Sequence, residues 1–317
     1  MERVLVTGGA GFIGANLSNI LSARGYQVTA LDTLAMGEKS NLDPSVVFIQ
    51  GDAGRMEDLE RAGAADYVVH LAASSSAPMF LTDLQGNISN NVRGHIAVLE
   101  FARAKNVKKV LFASTSSVYG NNPVPLSENQ HVEPPNFYAA SKLFQEQLSG
   151  VYHQNFGTEI IGFRLMSVYG LHEEHKGRYA NMVSQFIWGM EQGKRPVIYG
   201  DGSQSRDFVN VRDVAEAFQS ALKSEKRFGF TVFNVGTGKA VTLAALIKLI
   251  NKAMGTEISP VFIQNPISSG YIDEQQADLT RVARDLGYAP NVTLENGIRE
   301  ILEHRRDHPV APVSLSY

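Results

Sequence analysis

The stretch Val4-Leu5-Val6-Thr7-Gly8-Gly9-Ala10-Gly11-Phe12-Ile13-Gly14 constrains the fold of this chain more than any other. A short apolar run enters three glycines spaced three apart, and a helical pattern follows. In such a G-x-x-G-x-x-G turn, Gly8 permits the tight turn and Gly11 lets backbone N–H groups approach a pyrophosphate. Gly14 allows close helix–sheet packing. The helix N-terminus favours the negative charge. A lone glycine triplet could equally be an ordinary strand–helix turn, so the flanks decide. Asp32 ends the second predicted strand, 18 residues beyond Gly14, where an acid would bind an adenosine ribose. Gly8, Gly11, Phe12, Ile13, Gly14 and Asp32 therefore read as a dinucleotide site. A carboxylate repels a 2′-phosphate, which favours NAD over NADP, although Lys39 is close enough to leave NADP open.

Short Val/Ile/Leu-rich runs alternate with helical patterns through the first half. Residues 4–7, 27–31, 46–50, 67–71, 109–113 and 160–165 read as strands. Residues 12–24, 87–105 and a long stretch from 138 read as helices. The strands are apolar throughout rather than alternating, as in a parallel sheet covered on both faces. The expectation is an α/β fold with a doubly wound, Rossmann-type parallel sheet and a second, smaller α/β domain. A chain of 317 residues has room for both. Beyond 165 the alternation weakens: 167–205 is rich in glycine and polar residues, with one helix near 180–192. Residues 209–222 and 232–235 are more regular, and 242–254 reads as an amphipathic helix. The dinucleotide domain is expected over 1–165 and 207–232, and the smaller domain over 166–206 and 233–317.

Composition removes several alternatives. Charged residues are 19% and the net charge is −3, with no basic excess for nucleic acid or an anionic membrane surface. There are no cysteines, so disulfides, thiol catalysis and cysteine-ligated metals are excluded. No apolar run approaches the ~20 residues of a membrane span. Met1-Glu2-Arg3 leads straight into the first strand without a signal-peptide pattern, and the expected location is cytoplasmic. His172, Glu173, Glu174 and His175 form a tempting cluster. Adjacent acids do not point together on regular structure, so a solvated loop is expected and no metal.

Tyr138 and Lys142 are four residues apart and share one face of a helix. An ammonium near a phenol favours phenolate and lowers its pKa from about 10. Oxidised nicotinamide would add a second positive charge. Such a base is worth on the order of 10²–10⁴ in rate. Tyr-x-x-x-Lys alone is common on surfaces; about 125 residues after a glycine fingerprint it becomes a catalytic pair.

Five segments together resemble the extended short-chain dehydrogenase/reductase family, in its NAD-dependent epimerase/dehydratase group. They are Thr7–Gly14, His70-Leu71-Ala72-Ala73, Ser114-Thr115-Ser116-Ser117-Val118-Tyr119-Gly120, Tyr138-Ala139-Ala140-Ser141-Lys142 and the stretch from Gly200 to Phe208. The resemblance implies an enzyme with NAD as cofactor and a nucleotide sugar as substrate. It implies that Thr115 relays a hydrogen bond between Tyr138 and the reacting hydroxyl. It places Asp52 and Ala53 at the adenine, Leu71, Ala72 and Ala73 along the cofactor channel, and Asn91 near it. Ser75, Thr115, Ser116, Ser117 and Ser167 would meet the sugar, and Asn181 and Arg206 the diphosphate. Helices 87–105 and 138–156 match those that pair in family homodimers.

The reaction is narrowed by residues that are missing. Sugar dehydratases of the family need Asp-Glu directly after the catalytic threonine, and decarboxylases resemble Thr-Ser-Glu-Val-Tyr-Gly. This chain has Ser116 and Ser117 there. A 4-epimerase needs no such acid, because a transient 4-keto sugar turns over and is reduced on its other face. UDP-glucose/UDP-galactose is the default pair. UDP-glucuronate and UDP-N-acetylhexosamine remain open, as does a net dehydrogenase or reductase; a non-catalytic cofactor-binding regulator ranks below them. Glucuronate epimerases usually carry arginines after Val-Tyr-Gly, whereas this chain has Leu171-His172-Glu173-Glu174-His175, with Arg178 nearby. The family's Arg-Pro-Gly segment is matched by Asn265-Pro266-Ile267-Ser268-Ser269-Gly270-Tyr271, which lacks the arginine.

Overall fold

The apolar runs of the first half are buried on both faces of one sheet. In β1 (Arg3–Thr7), Val4 and Val6 join one core and Leu5 the other. The same division recurs in β2 (Gln27–Asp32), which pairs with β3 (Val47–Gln50), and in β4 (Tyr67–His70), β5 (Lys109–Thr115), β6 (Ile160–Leu165) and β7 (Phe230–Val235). All seven are parallel, in the order β7-β6-β5-β4-β1-β2-β3. This computed structural model describes residues 1–266 and 270–308. Ile267, Ser268 and Ser269 of the Arg-Pro-Gly-like segment, and 309–317 of the expected second domain, lie outside the described residues.

Helices cover both faces, as a sheet with two apolar sides requires. Leu17 and Leu21 of α1 (Phe12–Ala23) pack on one side. Val98, Leu99 and Phe101 of α2 (Leu84–Ala104) and Tyr152 of α3 (Phe137–Phe156) pack on the other. Trp188 belongs to α4 (Met182–Glu191), and Val214 and Phe218 of α5 (Val211–Lys223) return to the α1 side. Helix α2 starts at Leu84 rather than 87 because the Asp83 carboxylate accepts from the Gly86 N–H at 2.9 Å. The regular stretch at 209–222 is a strand, Phe208–Asn210, followed by α5, with the Asn210 side chain capping the Arg212 N–H at 3.0 Å. The boundary expected at 232 falls inside β7, which continues to Val235.

A separate core forms from Tyr169, Trp188, Ile198 and Phe208 with Leu246 and Ile247 of α6 (Leu243–Met254) and Ile298 and Ile301 of α7 (Leu294–Asp307). Three two-stranded ladders support it. No described helix is long and apolar enough to cross a membrane. Strand order reverses between β1 and β4, where open α/β sheets bind their ligands. The loops after these strands touch: a Cβ on Gly8 would come within 2.6 Å of the Ala72 nitrogen.

Candidate active site

The glycine turn is built by backbone hydrogen bonds. Gly8 has φ +69°, and the N–H groups of Gly8 and Gly9 donate to the Leu31 carbonyl at 2.8 and 3.3 Å. A Cβ at Gly14 would stand 2.0 Å from the Gly8 carbonyl oxygen, so α1 seats only on a bare glycine. No side chain caps α1 at Gly11, and Phe12, Ile13 and Gly14 open onto a cavity of about 710 Å³. Unpaired first-turn N–H groups at that end suit an anion. Asp32, 8% exposed, ends β2 at the same cavity; its carboxylate accepts from the N–H groups of Ala10 at 3.1 Å and Leu34 at 2.8 Å. Lys39 is turned over the Phe48 ring and does not line the cavity. Asp52 does line it, holding the Gly54 N–H and an ion pair to Arg93, both at 2.8 Å. Ala53, Leu71, Ala72 and Ala73 complete this wall.

Tyr138, Lys142 and Thr115 meet at the other end of the same cavity. Thr115 ends β5, and its hydroxyl accepts from the Ser117 N–H at 3.1 Å. Tyr138 stands in the first turn of α3, which Asn136 caps through the Ala139 N–H at 2.9 Å. The Phe80 ring packs against it, with centroids 5.9 Å apart. Burial pushes the Tyr138 phenol up, and a hydrogen bond with Thr115 opposes this. The sequence led us to expect a phenol lowered by its lysine. Instead Lys142 Nζ donates to the Ala113 carbonyl at 2.9 Å and to Gln145 Oε1 at 3.3 Å. Burial brings Lys142 itself down to about 8, against the charge of Glu146. Glu146 is buried, takes the Ser114 hydroxyl and is held by Arg164 at 2.7 and 3.0 Å.

The serines expected at the sugar, Ser75, Ser116, Ser117 and Ser167, all line the cavity, as does Asn181. Asn181 also caps α4 through the Val183 N–H at 3.0 Å. Two expected residues do not reach it. Asn91 is fully buried behind the wall: its amide binds both the N–H and the carbonyl of Ser74, and the Ser141 hydroxyl. Arg206 does not line it; its Nη1 donates to the carbonyls of Ser205 and Asp273 at 2.8 and 3.3 Å, and its guanidinium lies over Tyr271. Glu173, expected in a solvated loop, is 1% exposed and binds Lys176, the Asn181 N–H and the Ser184 hydroxyl. Among the described residues, no three His, Cys, Asp or Glu side chains are grouped to hold a metal ion.

Sequence reasoning missed Lys176 and Gln275. Lys176 lies over the Phe12 ring and ion-pairs with Glu173 at 2.9 Å. Gln275, 5% exposed, bridges Ser116 and Ser167. No motif marks either; both come from irregular segments that the fold alone brings to the cleft.

The sequence profile of the NAD-dependent epimerase/dehydratase family matches residues 4–236. The UDP-glucose 4-epimerase of Mycolicibacterium smegmatis is 33% identical, over 96% of this chain and 99% of the relative. The structure of the UDP-glucose 4-epimerase of Thermotoga maritima, solved with UDP-glucose, superposes with a TM-score of 0.90 at 30% identity, covering 96% of this chain and 99% of that one. The UDP-glucuronic acid 4-epimerase of Bacillus cereus, solved with UDP-glucuronic acid and NAD, superposes with a TM-score of 0.86 at 28% identity, covering 96% and 99%.

Proposed function

The chain belongs to the NAD-dependent epimerase/dehydratase family, and from that premise we propose that it inverts C4 of a UDP-hexose, with UDP-glucose and UDP-galactose as its substrate pair. It is an NAD-dependent epimerase, an isomerase. One observation carries the choice of reaction. Tyr138, Thr115 and Lys142 converge on the cleft, and serines 116 and 117 stand where a dehydratase or decarboxylase would need acids.

The uncapped N-terminus of α1 and the glycines that seat it suit a dinucleotide pyrophosphate, and Asp32 suits its ribose. Asp52, Ala53, Leu71, Ala72 and Ala73 extend the same wall. NAD supplies a reversible hydride acceptor. The chain supplies the proton chemistry: Tyr138 takes the proton of the C4 hydroxyl and later returns it, Thr115 carries the hydrogen bond between them, and Lys142 provides positive charge. Ser75, Ser116, Ser117, Ser167 and Asn181 hold the nucleotide sugar. A neutral sugar is supported by the charges of the cleft. Among its described lining residues the cations are Lys142 and Lys176, and Lys176 is already paired with Glu173. The UDP-glucose activity of the M. smegmatis and T. maritima relatives supports uridine as the base.

Incubation with UDP-glucose, UDP-N-acetylglucosamine and UDP-glucuronate tests the reading. UDP-glucose should yield UDP-galactose without stoichiometric NADH. Tyr138→Phe should lose at least about 10²-fold in kcat while keeping its NAD. Near-normal turnover by that variant would sink the mechanism. Stoichiometric NADH would replace it with a net dehydrogenase.

A further inference from the structure

Glu146 is a buried carboxylate that does not line the cleft. It follows Lys142 by four residues on α3, so the two side chains share a face, at 4% and 3% exposure. Ser114 of β5 and Arg164 of β6 are register partners in the sheet beneath. Glu146 binds both: its carboxylate takes the Ser114 hydroxyl, and Arg164 donates to it through Nε at 3.0 Å and Nη2 at 2.7 Å. The Arg164 guanidinium also lies over the Tyr119 ring, whose hydroxyl donates to Asn234 of β7 at 2.8 Å. One carboxylate thus ties α3 to two neighbouring strands beside Thr115. Lys142 adds a second tie, through the Ala113 carbonyl at 2.9 Å.

A pair buried this deeply is a poor means of gaining stability. Taking both charges out of water costs about what their attraction returns, and apolar residues of similar volume often serve as well. The surroundings of Lys142 give the pair another use. The groups that Nζ touches, the Ala113 carbonyl and the Gln145 amide, are uncharged. The titratable groups nearby are Tyr138 and Glu146 on α3, His70 at the end of β4 and His95 on α2, with Arg164 and Tyr119 bound to each other behind Glu146. Burial holds both histidines well below their usual value and pushes the Tyr138 phenol up, so all three are neutral. Among the described residues, Glu146 therefore carries the negative charge that acts on Lys142.

We propose that Glu146 is a positioning residue for the proton transfer: anchored by Ser114 and Arg164, it holds α3 in register with Thr115 and supplies the counter-charge that keeps Lys142 an ammonium. The inference rests on the nucleotide-sugar reading above. Glu146 touches neither the cleft nor Tyr138 and acts through Lys142 alone. Arg164 and Ser114 give its carboxylate the partner and the hydrogen bonds that a buried charge requires. Because the anchor spans β5, β6 and α3, the counter-charge and the strand end that carries Thr115 are set by the same contacts.

The test is the pH profile of kcat/KM for UDP-glucose in the wild-type protein, in Glu146→Gln, and in Glu146→Gln combined with Arg164→Met, with NAD content and thermal unfolding recorded for each. Glu146→Gln leaves the Arg164 charge buried and unpaired, and its Tm should fall. The double variant removes both charges, keeps a thioether against the Tyr119 ring and should regain that Tm. In both variants Lys142 loses its counter-charge, so its ammonium is lost at lower pH. The alkaline limb should move down by about one unit, and kcat/KM beyond it should fall about tenfold. A purely structural pair predicts otherwise: the double variant would regain the wild-type limb together with the wild-type Tm, and that result overturns the proposal. If Glu146→Gln does not fold, the double variant decides alone. A wild type that inverts UDP-glucose with no alkaline limb overturns the role of Glu146 and leaves the functional reading standing. A wild type that inverts no UDP-hexose overturns that reading, and the role of Glu146 with it.

Discussion

Tyr138 is a base only if positive charge reaches it, since burial holds its phenol above the ordinary value. Lys142 is the chain's own source of that charge, and burial presses it the other way, to about 8. The ammonium is therefore present below pH 8 and lost as pH rises through it. kcat/KM should accordingly carry an alkaline limb near pH 8, well below an ordinary lysine. Gln145→Glu would set a carboxylate where Oε1 now lies 3.3 Å from Nζ and should move that limb up by about one unit. A profile flat beyond pH 9 in the wild type, or an unmoved limb in the variant, would remove Lys142 from this role. The proposed catalytic trio was legible because Tyr138 and Lys142 share a helix face by spacing and the family resemblance marks Thr115 at a strand end. Gln275 was not, because a loop 137 residues beyond Tyr138 has no period to read. The place of Arg206 was not legible either. Its motif was present, but its side chain lies outside the cavity lining, with Nη1 on the carbonyls of Ser205 and Asp273.

Helix α1 and the turn before it act as one element. Alanine is normally the better helix former by about 1 kcal/mol. At Gly14 that gain is overridden, because the new methyl would sit 2.0 Å from the Gly8 carbonyl oxygen. Gly14→Ala should lower thermal stability, by about 1–3 kcal/mol as for other overpacked sites, and release NAD. Unfolding scans and the NAD content of the purified variant would show this; a variant that keeps both would mean that α1 can shift without harm. The elements themselves were largely readable, since β1, β4, β5 and β6 are apolar on both faces and turn signals bound them. The errors lie where one side chain decides. Asp83 starts α2 three residues early, and Asn210 ends a strand and caps α5 inside a continuous apolar pattern. The second half resists reading because its ladders are only two or three residues long.

At the scale of the whole molecule, the described residues leave two apolar stripes uncovered on one side. On α2, Leu84, Ile88, Val92 and Ile96 recur every fourth residue, and all four line a shallow depression. On α3, which packs against α2, Phe144, Leu148 and Val151 follow at spacings of four and three, with Phe144 42% and Val151 54% exposed. Monomeric proteins rarely leave so continuous a patch in water. A second copy of the chain can cover it by presenting the same two helices about a two-fold axis. We propose that association, which would also brace α3, the helix that carries Tyr138 and Lys142. Sedimentation at micromolar protein should give twice the 34.6 kDa chain mass. Val92→Glu with Phe144→Glu should give monomers, since each buries a charge that has no partner across the axis. Because the stripes are apolar, the wild-type dimer should persist in high salt, where an assembly held by surface ion pairs would weaken. Monomer alone in the wild type at low and high salt would leave the stripes without a partner of this kind.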